Sequence, residues 1–263
     1  MREKVFSLKN LLLIALLFFG ASCNFFASQG SNPPSFTEDS NPSIIRGSLR
    51  YEENYLQYER GRAKTLLDKG ASTLEILLSS LDKRFTNKLL SSHPCFIVFP
   101  ETTRVAVLIG GVFGEGFMLC KRGENAWSEP FFVKIRGASA GLTLGAEFTE
   151  IVLVLSNQGA AKRLVKGEIR LGSDLALAAG PLGREVGTGL GIKNLEKVYY
   201  YARAKGLFVG ISLNGAKVSP LERVNTAYFQ KPVTVEDVID YNVVPLKPLK
   251  ETARVLEALQ SVK

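Results

Sequence analysis

Few residues of this chain have the types and spacing that catalysis or metal binding requires. His93 is the single histidine among 263 residues, so a metal site built from several histidines is excluded. A Ser–His–Asp or Cys–His nucleophile would have to use His93, which lies in the turn-like stretch Ser92-His93-Pro94-Cys95. No segment follows the GxxxxGK(S/T) pattern, which excludes a P-loop nucleotide hydrolase.

Two glycine-rich stretches, 110–116 and 187–191, raise the question of a phosphate-binding loop. Neither stretch opens a helix directly after a strand, which is the arrangement that a dinucleotide site needs. The carboxylates near the predicted strands show no pattern that would pair two of them as acid and base. We therefore predict that the protein is not an enzyme and holds no cofactor or metal.

Basic side chains are the more informative group. Lysine and arginine outnumber aspartate and glutamate by 33 to 25, which gives a formal charge of +8. A charge of this size favours an anionic partner without choosing between phospholipid and nucleic acid. Guanidinium and ammonium groups bind phosphate through charge-assisted hydrogen bonds, although any single basic residue could equally serve as a solubilising surface group.

The N-terminus is predicted to be a targeting segment rather than part of the fold. Residues 1–22 combine basic residues, the apolar run Leu11–Phe19 and a small-residue cleavage site. Cys23 follows directly, as in a bacterial lipobox, although Gly20 stands where leucine is usual. We predict a lipid-anchored protein of the bacterial cell envelope that faces the periplasm. A soluble periplasmic or secreted protein, or an uncleaved anchor, is the alternative, and nucleic acid is a poor partner for each.

Composition and periodicity divide the first part of the mature chain. Residues 23–48 are rich in serine, asparagine and proline and are predicted to form a flexible tether. Apolar residues at helical spacing over about 50–90 predict one or two amphipathic helices, with Gly70 as a candidate break. Two interpretations are open for the basic residues of this segment: they face a membrane, or the helix packs on the core and they face solvent. These residues are Arg60, Arg62, Lys64 and Lys69.

Short apolar runs alternate with glycine from Cys95 to about Leu213, which predicts consecutive antiparallel strands. These runs are 96–99, 105–109, 116–119, 131–135, 142–146, 151–155, 175–179, 198–202 and 207–213. Helices are predicted after Asn157, over Pro220–Tyr228 with the proline in the first turn, and near 249–262. The predicted fold is α+β: a glycine-rich antiparallel β core, curved or barrel-like, with N-terminal and C-terminal helices.

Two cysteines remain besides Cys23. Cys95 and Cys120 both lie in apolar segments. An oxidising envelope compartment permits a disulfide between them, and two buried free thiols fit the sequence equally well.

Several strings, in the same order along the chain, resemble the SYLF family, also called the Ysc84 or DUF500 family. They include Phe96–Pro100, Gly111–Gly116, Trp127–Phe132, Gly172–Arg184 and Lys205–Leu213. The most specific is Gly172–Arg184, which is close to the family's G-x-D-x-x-x-A-x-G-P-x-G-R. The chain departs from the family's usual K-x-G-F string at Arg104-Val105-Ala106 and has Thr149-Glu150 in place of its usual Thr-Asp.

The resemblance implies a phospholipid-binding module without catalytic residues. Eukaryotic members bind phosphoinositides and link membranes to actin, a role that we do not carry over to a bacterial envelope protein. The expected organisation is a signal peptide over 1–22, the tether over 23–48, a SYLF-like lipid-binding domain over 49–230 and a C-terminal extension with a helix over 231–263.

We predict acylation of Cys23 and binding of anionic phospholipid headgroups at a membrane surface. The predicted contact residues are Lys121, Arg122, Arg136, Arg184, Arg203 and Lys205. The alternative is a structural or interaction protein of the envelope, in which the sheet face binds a protein partner.

Overall fold

The computed structural model describes residues 42–260 apart from 107–108, 124–125, 141–144, 181–196 and 210. The chain divides into two units, residues 1–50 and residues 51–263. The predicted signal peptide, Cys23 and Arg184 lie outside the described residues. The packing contacts and candidate sites lie in the second unit.

Two helices precede the sheet, α1 over Pro42–Ser80 and α2 over Lys83–Ser92. Residues 42–48, which composition assigned to the tether, are helical. The chain leaves the helical path at Leu81 and starts again at Asp82, whose carboxylate accepts hydrogen bonds from the first turn of α2. The helical prediction is therefore confirmed, but the break lies after Ser80 and not at Gly70.

Helix α1 passes through Gly70 without a break. Because glycine has no side chain, the helix can approach the sheet closely at this position. A Cβ atom at this position would lie 2.3 Å from the Phe117 ring, which is fully buried. Along the same helix face Leu67, Leu74 and Leu78 are buried as well. The burial of this apolar face outweighs the intrinsic cost of a glycine inside a helix, which is about 1 kcal/mol.

Nine strands form one sheet. They are β1 over Cys95–Ala106, β2 over Ile109–Arg122, β3 over Ala126–Trp127, β4 over Phe131–Ala140, β5 over Gly145–Leu155, β6 over Ala176–Ala179, β7 over Lys197–Ala204, β8 over Leu207–Phe208 and β9 over Lys217–Pro220. The order is β6-β7-β5-β1-β2-β4-β9, with β3 added to β2 and β8 added to β7. The predicted α+β fold with a curved sheet is confirmed, and the strands β1, β2, β4 and β5 are longer than the apolar runs that predicted them.

The sheet departs from the prediction in one pairing. β6 and β7 run parallel, whereas the other strand pairs among the described residues are antiparallel. A register shift in β1 between Val98 and Glu101 marks a bulge facing Gly116, where an added Cβ would lie 1.9 Å from the Val98 carbonyl oxygen. The glycine there allows the close backbone approach that strong sheet curvature needs.

Four shorter helices occur in the described part of the chain after β5: α3 over Gln158–Val165, α4 over Glu222–Phe229, α5 over Val235–Ile239 and α6 over Lys250–Gln260. Asn157 caps α3 as predicted, its side chain accepting from the Ala160 N–H. Pro220 ends β9 and does not occupy the first turn of α4, which corrects the predicted helix start. Val255 and Leu259 of α6 belong to the same core as the sheet.

Cys95 and Cys120 form a disulfide that joins β1 to β2. The two residues are directly paired in the strand register, and both are fully buried. Of the two alternatives that the sequence left open, the structure therefore shows the bridge.

The disulfide provides a test of stability. Cys95→Ala/Cys120→Ala is expected to lower the free energy of unfolding by about 3 kcal/mol, because the bridge closes a loop with a sequence separation of 25. Urea unfolding of the variant and of the unreduced parent would measure the loss. Thiol titration of the denatured parent should find at most the thiol of Cys23, and two further titratable thiols would contradict the bridge.

Gly70→Ala is expected to lower the free energy of unfolding by about 1–3 kcal/mol, because the new methyl group collides with the buried Phe117 ring. Gly61→Ala is the matched control on the same helix, since a Cβ at Gly61 meets no atom within 4 Å. That change should leave stability unchanged or raise it by up to about 1 kcal/mol. Equal unfolding midpoints for both variants would contradict the proposed seating of α1.

Candidate functional site

Strand register divides one face of the sheet into three rows. Residues that pair directly across neighbouring strands point to the same face. The first row consists of buried side chains and is here called the apolar row: Val152, Val98, Phe117 and Phe132. Helix α1 covers it at Gly70, and Tyr228 of α4 packs against Phe132 with ring centroids 5.3 Å apart.

The second row, here called the charged row, contains Glu101, Glu115 and Lys134 on adjacent strands. Glu101 and Glu115 are directly opposite each other, an arrangement that destabilises a sheet unless the charges are compensated. Helix α1 supplies the compensation. The Arg62 guanidinium lies 2.6 Å from the Glu115 carboxylate, and the Lys69 ammonium pairs with Glu101.

Arg62 is also the partner of a buried carboxylate. It lies 2.5 Å from Glu59, whose side chain is 3% exposed. Burial alone would lower the pKa of Arg62, but the hydrogen bonds and charges of Glu115 and Glu59 outweigh burial and raise it. Arg62 therefore remains a cation and holds α1 on the sheet.

Arg203 and Glu150 extend the charged layer to the β5–β7 pair. They are directly opposite in register, and two guanidinium nitrogens of Arg203 each lie 2.6 Å from a Glu150 oxygen. This two-point contact engages both oxygens of the carboxylate and two of the five N–H donors of the guanidinium. Arg203, a predicted headgroup contact, is thus committed to a carboxylate of its own domain.

The third row lies nearer the end of the sheet and is here called the exposed row. It crosses five adjacent strands in the order Lys217, Arg136, Phe113, Thr103 and Phe148. Phe113 is 51% and Phe148 62% exposed, and both basic residues are exposed as well. Aromatic side chains at such outward positions leave apolar surface in water, which a partner could bury.

The cations of the exposed row have no carboxylate partner within the described part of the chain. Arg136 and Lys217 are directly opposite, so their like charges repel at close range. Lys205 lies in the turn after β7, and continuing the Glu150–Arg203 register by two residues leads from Phe148 to Lys205. A bound anion would relieve the repulsion between Arg136 and Lys217.

The predicted contact residues are not brought together. Arg136 and Lys205 lie at the same end of the sheet, on either side of the exposed aromatic residues. Lys121 and Arg122 end β2 at the opposite end, about 26 Å from Phe113 at roughly 3.3 Å per residue. The Lys121 ammonium lies 5.7 Å from the centroid of the Trp127 ring. These four residues therefore form two separate basic regions, and the role of the predicted contact residues in lipid binding stays a prediction.

The four basic residues of α1 that the sequence pattern singled out contact their own domain. Besides Arg62 and Lys69, Arg60 donates to the backbone carbonyls of Tyr228 and Lys247. Lys64 lies 3.9 Å from Glu251 of α6. These contacts favour the packed-helix interpretation of the predicted amphipathic segment over a membrane-facing one.

Sequence reasoning missed Phe113, Phe148 and Lys217 as members of a site. The signal was present in β2, where glycine alternates with Phe113, Glu115 and Phe117. That alternation shows which residues share a face, but it does not show which of them the helix covers.

Neither a metal site nor a membrane span occurs among the described residues. No group of three or more histidine, cysteine, aspartate or glutamate side chains in that part of the chain could hold a metal ion. None of the helices described there is long and apolar enough to cross a bilayer.

Comparison with known proteins identifies similar sequences. The model of the Ysc84 family, described as "Las17-binding protein actin regulator", matches residues 136–262. SH3 domain-containing protein PJ696.02 of Schizosaccharomyces pombe is 29% identical over 150 residues, which are 56% of this chain and 35% of that protein. LAS seventeen-binding protein 3 of Saccharomyces cerevisiae is 29% identical over 158 residues, 59% of this chain and 34% of that protein.

A vertebrate relative is matched over a longer stretch. Human SH3 domain-containing YSC84-like protein 1 is 28% identical over 181 residues, 67% of this chain and 53% of that protein. The chain thus spans about a third to a half of the length of these curated relatives.

The charged row yields a matched pair of variants. Arg62→Gln is expected to lower the free energy of unfolding by about 3 kcal/mol, because it leaves the buried Glu59 carboxylate without its cation. Lys69→Gln removes the same charge from a pair whose members are both half-exposed and should cost at most about 1 kcal/mol. Urea unfolding would measure both values. A cost for Lys69→Gln equal to that of Arg62→Gln would show that burial does not distinguish the two pairs.

Proposed function

This chain belongs to the SYLF (Ysc84) family, and on that premise we propose that it is a non-catalytic domain that binds anionic phospholipid headgroups at a membrane surface. The observation that carries the proposal is the exposed row, in which Arg136 and Lys217 are directly opposed without a carboxylate partner among the described residues. The nearby carboxylates of Glu101, Glu115 and Glu150 are each paired with another cation.

The contribution of the exposed cations to membrane binding follows from their number. A lysine or arginine near an anionic leaflet contributes about 1 kcal/mol, and this contribution falls off within the screening length of the salt solution. Arg136, Lys217 and Lys205 would together give a binding energy of about 3 kcal/mol. Such a value is too weak for stable attachment alone but large enough to orient a domain that is already held near the membrane.

Cys23 would provide that attachment. An acyl chain on its thiol and a basic surface on the domain are the two signals that durable membrane binding needs. We accordingly propose a lipid-anchored protein of the bacterial envelope with the domain in the periplasm. Secretion without an anchor is the alternative.

A protein partner is the second candidate function. The matching family is described as "Las17-binding protein actin regulator", and one relative is named LAS seventeen-binding protein 3. The names of these similar proteins therefore refer to the binding of another protein. The exposed aromatic residues Phe113 and Phe148 could serve such an interface on the sheet face of this chain. Those names describe binding and regulation and not a reaction, which agrees with a non-catalytic role.

Vesicle co-sedimentation tests the headgroup proposal. The chain from residue 24 onward keeps every described residue and removes the predicted lipidation site. Its binding to phosphatidylcholine vesicles should rise with added phosphatidylglycerol and fall as salt is raised. Arg136→Gln/Lys217→Gln is expected to weaken the partition coefficient roughly 30-fold, the equivalent of about 2 kcal/mol.

Lys121→Gln/Arg122→Gln is the matched control, because it removes the same charge at the opposite end of the sheet. Binding of that variant should stay within about twofold of the parent, which a difference well under 1 kcal/mol would give. Equal losses in both double variants would show that only net charge matters. No binding to any vesicle would overturn the headgroup proposal and favour a protein partner.

A further inference from the structure

The strands carry three large apolar side chains that are exposed within the described part of the chain, and all three lie at one end of the sheet. Phe113 and Phe148 belong to the exposed row, where only Thr103 separates them. Leu207 is 72% exposed and pairs with Ala204 at the end of β7. Two strand spacings place the Phe113 and Phe148 backbones about 10 Å apart.

We propose that Phe113 and Phe148 insert into the interfacial layer of an anionic bilayer, so that this end of the sheet is the surface that docks. The inference rests on the proposed function and adds its mode: apolar insertion together with headgroup contact. It also assigns the docking surface to strand residues and not to the basic helix α1.

Charge complementarity identifies the occupant as an anionic lipid surface. Arg136 and Lys217 border Phe113 on one side, and Lys205 lies beyond Phe148 on the other. Aromatic side chains surrounded by cations are the combination that partitions into the headgroup boundary of anionic membranes. Three carboxylates that the structure describes near the exposed row, those of Glu101, Glu115 and Glu150, could oppose such contact. Helix α1 pairs with the first two and Arg203 with the third.

The apolar surface continues from the exposed row toward α1. A groove of about 640 Å³ lies between this helix and β1–β2, and Tyr58, Leu66 and Phe113 contribute to its walls. Tyr58 is 66% exposed. The exposed apolar surface around Phe113 is therefore broader than a single ring. Arg62 and Lys69 also line the groove, and both are held in ion pairs.

The single tryptophan makes the inference directly testable. Trp127 pairs with Lys121 at the opposite end of β2, far from the exposed row. In a Trp127→Phe background, Phe113→Trp and Phe148→Trp each place one fluorescent reporter at the proposed insertion site. The parent chain, with its native Trp127, is the control reporter for the other end.

The probe is a vesicle of phosphatidylcholine with about one third phosphatidylglycerol, an anionic surface of the kind that attracts basic proteins. The chain from residue 24 onward is used, since it contains the whole compact unit with its core. Reporters at positions 113 and 148 are expected to shift their emission to shorter wavelength. Lipids brominated on the acyl chain should quench them at least twofold more than they quench native Trp127.

A second measurement removes the aromatic rings and keeps the charges. Phe113→Thr/Phe148→Thr retains residues that favour strands and should weaken vesicle binding at least tenfold, because half-exposed phenyl rings lose their transfer into the interface. The remaining binding should stay salt-dependent. The unfolding midpoint of this variant, compared with the parent, controls for a folding defect.

The outcomes separate this inference from the proposed function. Failure of the parent chain to sediment with the vesicles overturns both. Sedimentation without emission shift or quenching at positions 113 and 148 overturns insertion and leaves headgroup binding by the basic residues in place. Stronger quenching of Trp127 than of the two reporters overturns the assigned end, because the domain would then dock through Lys121 and Arg122.

Discussion

The contact between the Phe117 ring and Gly70 determines how much of the sheet is left open. Since no side chain separates helix α1 from the sheet at this point, the helix lies low enough for Arg62 and Lys69 to reach Glu115 and Glu101. Those carboxylates oppose each other across β1 and β2 and need these cations. The helix therefore covers the apolar row and pairs with the charged row, whereas Phe113 and Phe148 of the next row remain more than half exposed.

The same constraint divides the basic residues into two classes that composition cannot distinguish. Arg203 and Arg136 are both strand arginines near one end of the sheet, but Arg203 faces Glu150, whereas Arg136 faces Lys217. One is an internal ion pair and the other is an uncompensated positive charge. A formal charge of +8 therefore describes little of the binding potential of the molecule, because much of it is used within the fold.

Local signals in the sequence were sufficient for most elements. The Asn157 cap, the helix near 250–260 and the apolar runs of the long strands all follow from short-range patterns. The features that the sequence got wrong or left open depend on distant partners. Gly70 resembles a helix break because the contact with Phe117 is not visible in sequence, and the disulfide and the parallel β6–β7 pair require the strand register. The candidate site belongs to this second class, since Phe113, Phe148 and Lys217 become neighbours only in the assembled sheet.

The shape of the exposed row bears on which kind of partner suits it. A stable protein interface buries about 800 Å² on each partner around a packed centre, and its aromatic anchors usually enter matching pockets. Here the two phenyl rings stand separately on a curved sheet, with Thr103 between them and cations at both ends. A bilayer interface requires no shape complementarity, because lipids rearrange around whatever the protein presents. Separated aromatic residues between cations, on a domain with a predicted acyl anchor, therefore match the physical requirements of a membrane surface more closely than those of a folded protein.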